Sequence, residues 1–182
     1  MNPWKRGNRT NKKMEWIEVN NPESGEIAGL AGVSISRLPI HNDARGSLHE
    51  IWRQDEIPEG FNPKMACASW THPGVQRGPH EHVEQDDYFI FAGPSDFQVA
   101  LWDVRTKAVG ADRGWLLHCG ESCPIQLHVP RGVVHGYRNV GKVTGLVITV
   151  ASVLFQGEGR TGSVDEIRHE ENPETPFQFP NP

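Results

Sequence analysis

The sequence predicts an all-β chain, a double-sheet jelly-roll barrel with an irregular C-terminal arm, on three observations. From Leu30 to Phe155 short β-branched and aromatic runs are broken by Gly, Pro, Asn and Asp. The runs recur about every ten residues, with tight turns such as Asn139 to Gly145 between them, which suits antiparallel pairing in two packed sheets. Helix signals are scarce over the same stretch.

Residues 1–25 read as a basic, flexible tail: Lys5, Arg6, Arg9, Lys12 and Lys13 fall there with no acid before Glu15. Residues 26–156 form the barrel, with strands expected at 33–40, 47–52, 65–72, 87–92, 97–104, 124–129 and 144–155. Alternating Phe89, Phe91 and Phe97, with Trp102 and Trp115, are expected to fill its core. Residues 157–182 are polar and Pro-rich, so they are expected to pack on the barrel as an arm anchored by Val164, Ile167, Phe177 and Phe179. There is no internal repeat.

The 182 residues, 36% hydrophobic and 23% charged, fit one globular domain and exclude a disordered or fibrous chain. The net charge is −5, and setting aside the five tail cations leaves −10 on the remainder. An acidic body argues against nucleic acid as the partner. No run reaches the ~18 consecutive apolar residues of a membrane helix, and the N-terminus has no apolar stretch of a secretion signal, so a cytoplasmic protein is expected without a membrane partner. Cys67, Cys119 and Cys123 are an odd count, which implies reduced thiols, and the Cys119-x3-Cys123 pair lacks the second pair of a thiolate metal site.

Chemistry concentrates between Thr71 and Gly93. Side chains two apart on a strand share a face, so His80 and His82 point together, and Asp86 joins them if the strand stays regular. Glu84 and Asp87 are alternatives to Asp86. A fourth candidate, His135, follows the turn at Pro130 to Gly132 and faces the same lumen. Gly74, His80-x-His82, Asp86 and Gly93 reproduce the spacing of the first cupin motif, and Pro130-x-Gly132-x2-His135-x3-Asn139 that of the second. In metal-binding cupins these positions hold the ion, which on this chain implies His80, His82, Asp86 and His135. Imidazole and carboxylate donors suit a divalent Fe, Mn, Ni, Cu or Zn ion.

A second resemblance runs from "HNDARGSLHEIWR" through "QRGPHEH", "VALWDVR" and "VPRGVVHGYRN" to "DEIRHEENPETPF". The chain is similar to the dTDP-4-dehydrorhamnose 3,5-epimerase family, a branch of the cupins that needs no metal and acts on nucleotide-linked 4-keto-6-deoxy sugars. The resemblance implies an isomerase with His80 as base and Glu171 as its orienting carboxylate. It also implies that Arg77, Arg105, His135 and Tyr137 bind a small-molecule nucleotide sugar, with no cofactor. A C–H beside a ketone is acidic because its carbanion is an enolate; a base must take the proton, a positive group must hold the oxyanion, and an acid must return the proton.

The family's catalytic tyrosine falls near Ile148 here, and its lysine near Asp86 or Asp87; no lysine lies between Lys64 and Lys107. Water, His82, His118 or Tyr137 would then return the proton. The exchange of a lysine for an aspartate makes the site more anionic, which favours a bound cation and keeps a metal-dependent cupin enzyme as the alternative. A non-catalytic sugar-nucleotide-binding cupin is the third reading. Cupins of this type pair through an exposed sheet edge, so a homodimer is expected.

Overall fold

The computed structural model describes residues 14–105 and 113–181; the basic residues of the expected tail before Met14 lie outside them. The strands are β1 (Glu15–Val19), β2 (Gly25–Glu26), β3 (Ser34–Arg37), β4 (His41–Asp43), β5 (Gly46–Leu48), β6 (Met65–Thr71), β7 (Gln76–Glu81), β8 (Asp87–Phe91), β9 (Asp96–Asp103), β10 (Arg113–Gly120), β11 (Ile125–Val129), β12 (Val133–Asn139), β13 (Gly145–Ala151) and β14 (Ile167–Arg168). Two single 3-10 turns, Glu158–Arg160 and His169–Glu171, are the helical elements among the described residues. No helix there is long and apolar enough to cross a membrane.

Two six-stranded sheets face each other, in the orders β1-β10-β9-β12-β7-β14 and β2-β3-β11-β8-β13-β6, with the β4-β5 hairpin apart. The alternation of apolar residues explains the layering. Phe89 and Phe91 of β8, Phe97, Val99 and Leu101 of β9, Leu117 of β10 and Leu127 of β11 all enter the core between the sheets. Their even-numbered neighbours point outward: Tyr88 and Ile90 pack with Leu38 and Phe61, and Ala100 and Trp102 pack with Leu116 and Val134. The barrel is therefore filled at one end by aromatic and aliphatic side chains and is open at the other.

β10 lies outside the expected strand ranges, and two further segments differ from the sequence expectation. Residues 15–19, placed in the flexible tail, form β1 and pair in parallel with β10. The stretch 47–52 keeps strand structure only through Leu48. The arm is built into the barrel: β14 extends β7 antiparallel, with Arg168 opposite His80, and Phe177 lies buried with Trp102. β6 ends its sheet as an edge strand with Trp70 63% exposed.

Candidate active site

The open end holds a cavity of about 570 Å3. One wall is β7 and β12; the other is β8, β13 and β6; residues 164–170 of the arm form the rim. On β12 the odd positions face inward, which brings His135 and Tyr137 to the lumen beside Val133. On β7, His80 stands opposite His135, with ring centroids 4.5 Å apart. Gly78 allows that approach: it has φ +75°, and a Cβ on it would lie 2.7 Å from the His135 carbonyl oxygen.

The fourth member of the cluster is Asp87, not Asp86. His80, His82, Asp87 and His135 each offer a donor atom within 4.8 Å of the others. β7 ends at Glu81, so the parity counted from His82 does not carry through the bend to Asp86; parity counted on β8 sends Asp87, Phe89 and Phe91 inward. Asp86 instead accepts from the Arg131 backbone N–H at 2.9 Å and pairs with its guanidinium at 3.2 Å.

Asp87 is 2% exposed, and both His82 Nε2, at 3.2 Å, and His135 Nε2, at 3.3 Å, lie against its Oδ2. The Gln85 amide donates to Oδ1 at 2.9 Å. Burial alone would raise this carboxyl, but the two imidazoles overcome it and hold it below the usual carboxylate range. His82 is the mirror case: burial lowers it, while the Asp87 carboxylate and the Asp165 carbonyl raise it further, for a net rise. Its Nδ1–H donates to the Asp165 carbonyl through a short hydrogen bond. His135 Nδ1–H donates to the Val133 carbonyl at 3.0 Å, and its buried Nε2 has no aligned hydrogen-bond partner among the described residues.

His80 differs from both. Burial, followed by the positive fields of His135 and His82, pushes its pKa down to about 2, so the imidazole is neutral and keeps a lone pair. Its nearest carboxylate is Glu166, 3.7 Å from Nδ1 and too distant for a hydrogen bond. The expected orienting residue, Glu171, is 69% exposed at its side chain and pairs with Arg168. The register of β14 explains this correction, since Arg168 opposite His80 puts Glu166, two residues earlier, on the inner face.

Arg77 lines the cavity and donates from Nε to Thr71 Oγ1 at 3.0 Å and from Nη2 to the Trp70 carbonyl at 3.1 Å. Arg105 does not reach the cavity. Its guanidinium closes on both oxygens of Asp103, each at 2.9 Å, and donates to the Ala31 carbonyl at 2.7 Å. Tyr137 borders the cavity with a phenol that burial pushes up and keeps neutral. His118 stands beside Glu18, 3.7 Å away, outside the cavity lining.

Asp165 carries no signal in the sequence pattern, yet its carboxylate accepts the backbone N–H groups of Val83, Glu84 and Gln85 at 3.1, 2.9 and 2.8 Å. It thereby fixes the bend that carries Gln85 to Asp87. An acid preceding a short strand pair is too common for sequence alone to single it out.

The fold agrees with what the chain is similar to. Spore coat polysaccharide biosynthesis protein SpsL of Bacillus subtilis is 36% identical over 129 residues, which cover 69% of this chain and 82% of that protein. A protein named a probable low-salt glycan biosynthesis epimerase, Agl13 of Haloferax volcanii, is 28% identical over 133 residues, covering 72% of this chain and 85% of its own length. Among solved structures, a dTDP sugar isomerase from Desulfovibrio desulfuricans superimposes with a TM-score of 0.69 at 20% identity, over 82% of this chain and 91% of that one. The family described as FdtA, WxcM-like, C-terminal matches residues 31–155, the barrel with both histidine motifs, and the chain belongs to that family.

Proposed function

We propose that the protein is an isomerase of nucleotide-linked 4-keto-6-deoxy sugars, acting by proton abstraction next to the ketone. The observation that carries this reading is the contrast between His80 and His82, one residue apart. His80 borders the cavity with no side-chain hydrogen bond among the described residues, and is neutral. His82 is held between two acceptors, the Asp87 carboxylate and the Asp165 carbonyl, which favours the imidazolium. A base and an acid with pKa values driven apart are what enolisation needs. His80 takes the C–H proton, and the enolate formed beside its imidazolium offsets the cost of charging a buried ring. The positive charges of Arg77 and His82 stabilise the oxyanion, and His82 is the proton source that returns a hydrogen. The relatives' names, an epimerase and a dTDP sugar isomerase, support the same class.

The test is proton NMR of a dTDP-4-keto-6-deoxy sugar incubated with the protein in heavy water. Deuterium is expected at the carbon next to the carbonyl, and its position together with that of the carbonyl shows which carbon is reprotonated. A sugar nucleotide that raises the melting temperature but never exchanges would replace this reading with that of a binding module.

A second reading is favoured by the buried, unpartnered Nε2 of His135 beside a carboxylate that two imidazoles already face. Under it His80, His82, Asp87 and His135 hold a divalent transition ion, with the Nδ1–H groups of His82 and His135 anchored to backbone carbonyls as ligating imidazoles require. Such an ion supplies Lewis-acid stabilisation of an enolate. Elemental analysis of untagged protein should then find about one ion per chain, lost in His135→Ala; wild-type protein without metal after soaking in Fe, Mn, Ni, Cu and Zn would sink it. We further propose a homodimer through the exposed β6 edge, to be read from the mass in solution.

A further inference from the structure

We propose that the loop 156–162, with Arg160, is the diphosphate subsite of this cavity, and that it takes the nucleoside diphosphate portion of the substrate. The inference rests on the reading of the substrate as a nucleotide-linked sugar. Such a molecule carries two negative charges several bonds from the reacting carbon, and the histidine end of the cavity is a poor place for them. Asp87, Asp165, Glu166 and Glu170 all border it.

A second cavity, of about 360 Å3, adjoins the first and shares Met65, Leu154 and Phe155 with it. Beyond those apolar residues its lining is Gly157, Gly159 and Arg160, with no acid. Three guanidinium groups border the joined space, and two are committed. Arg168 lies between Glu166, at 2.8 Å, and Glu171, at 3.4 Å. Arg77 is tied to Thr71 and Trp70, three residues from His80, where it can meet the reacting end of the sugar. Arg160 makes no ion pair among the described residues, not even with Glu158 two positions earlier. Thr71 and Met65 are six residues apart on β6, about 20 Å at strand rise, so Arg77 and Arg160 stand toward opposite ends of the wall.

The backbone suits an anion as well. Gly157 and Gly159 have φ of +68° and +66°, and a Cβ on either would meet nothing within 4 Å, so the loop faces open space. A guanidinium there can grip a phosphate with two parallel hydrogen bonds, and the partly exposed Phe155 ring and Leu154 offer an apolar surface to the nucleoside.

The experiment is calorimetric titration of dTDP and of thymidine into wild-type protein, Arg160→Asn and Arg77→Gln. Asparagine tolerates the left-handed backbone at 160, where φ is +59°. Arg160→Asn is expected to keep the wild-type melting temperature and thymidine affinity and to weaken dTDP about tenfold or more, the size of one lost charge-assisted contact. Equal dTDP affinity in wild type and Arg160→Asn, or loss confined to Arg77→Gln, would overturn the assignment and leave the sugar-nucleotide reading standing. Wild-type protein that binds none of dTDP, UDP and GDP would remove that reading and the subsite with it.

Discussion

The two walls of the cavity are chemically unequal. The side of β7 and β12 contributes the imidazoles of His80 and His82 and the Tyr137 phenol, with His135 buried behind them, whereas β8, β13 and β6 contribute Asp87, Phe89, Met65, Cys67, Ser69, Thr149 and Ala151. Every imidazole and phenol that lines the cavity is on the side of β7 and β12, while its carboxylates come from Asp87 on the facing wall and from the arm. Ile148, where the resemblance places the missing tyrosine, packs against the outer cluster of Leu38 and Phe61, away from the lumen. Under the proposed function, proton removal and return are one-sided, because His80 and His82 both stand at the β7 side of the cavity. A proton that leaves toward His80 comes back from the same face, at the carbon it left or at its neighbour, unless water or Cys67 serves the other face.

The largest effect that would break this comparison is at His80. His80→Asn is expected to lower solvent exchange into substrate by about 10^2–10^4, the usual worth of a general base, whereas Thr149→Val on the opposite wall should cost less than about tenfold. Comparable losses at both positions, measured in one NMR exchange assay, would make the walls equal partners. His82→Gln comes next. About a hundredfold loss of product is expected with substrate affinity nearly unchanged, because the variant lacks the returned proton and keeps the binding groups.

Asp165→Ala acts through the wall rather than on the sugar. Three backbone N–H groups lose a charged acceptor, so about 1–3 kcal/mol of stability should go, seen as a melting temperature lower by several degrees. The smallest effect is the pH dependence of stability. His80 is held at about 2 when folded, against about 6.5 when unfolded, so between those values the unfolded chain binds a proton that the native site refuses. Stability from this group is complete above about pH 6.5 and drains as the pH falls, with a slope of at most about 1.4 kcal/mol per unit. His82, raised in the folded site, contributes with the opposite sign over the same range, so denaturant titrations of His80→Asn against wild type from pH 7 to 5 should isolate the His80 part as a smaller slope in the variant. His128, lowered by burial, leaves a residual slope of the same sign.

Much of this site was legible in the sequence. The barrel followed from the alternation of apolar residues, and His80, His82 and His135 came together as the motif spacing implied, with Tyr137 bordering the same cavity. What failed were the carboxylates. Parity along a strand is reliable only inside that strand, and Asp86 was reached by counting from His82 across the bend after β7; counted within β8, the same rule finds Asp87. Glu171 follows from the family resemblance, and it is the register of β14, with Arg168 opposite His80, that brings Glu166 to the inner face instead. Arg105 illustrates a different limit: a guanidinium two residues from an aspartate after a strand end closes on its neighbour, and residue type alone does not tell that from a phosphate ligand. The role of Asp165 is invisible because its partners are backbone N–H groups 80 to 82 residues away.

That distance also orders events during translation. The wall histidines leave the ribosome with His80 and His82, but the carbonyl that orients His82 arrives 83 residues later. Until Asp165 and β14 emerge, a nascent chain carries a barrel wall whose rim is missing, and a chain cut short before them would be a shell without the poise to move protons. Under the proposed function, activity requires the chain to be made at least through Arg168.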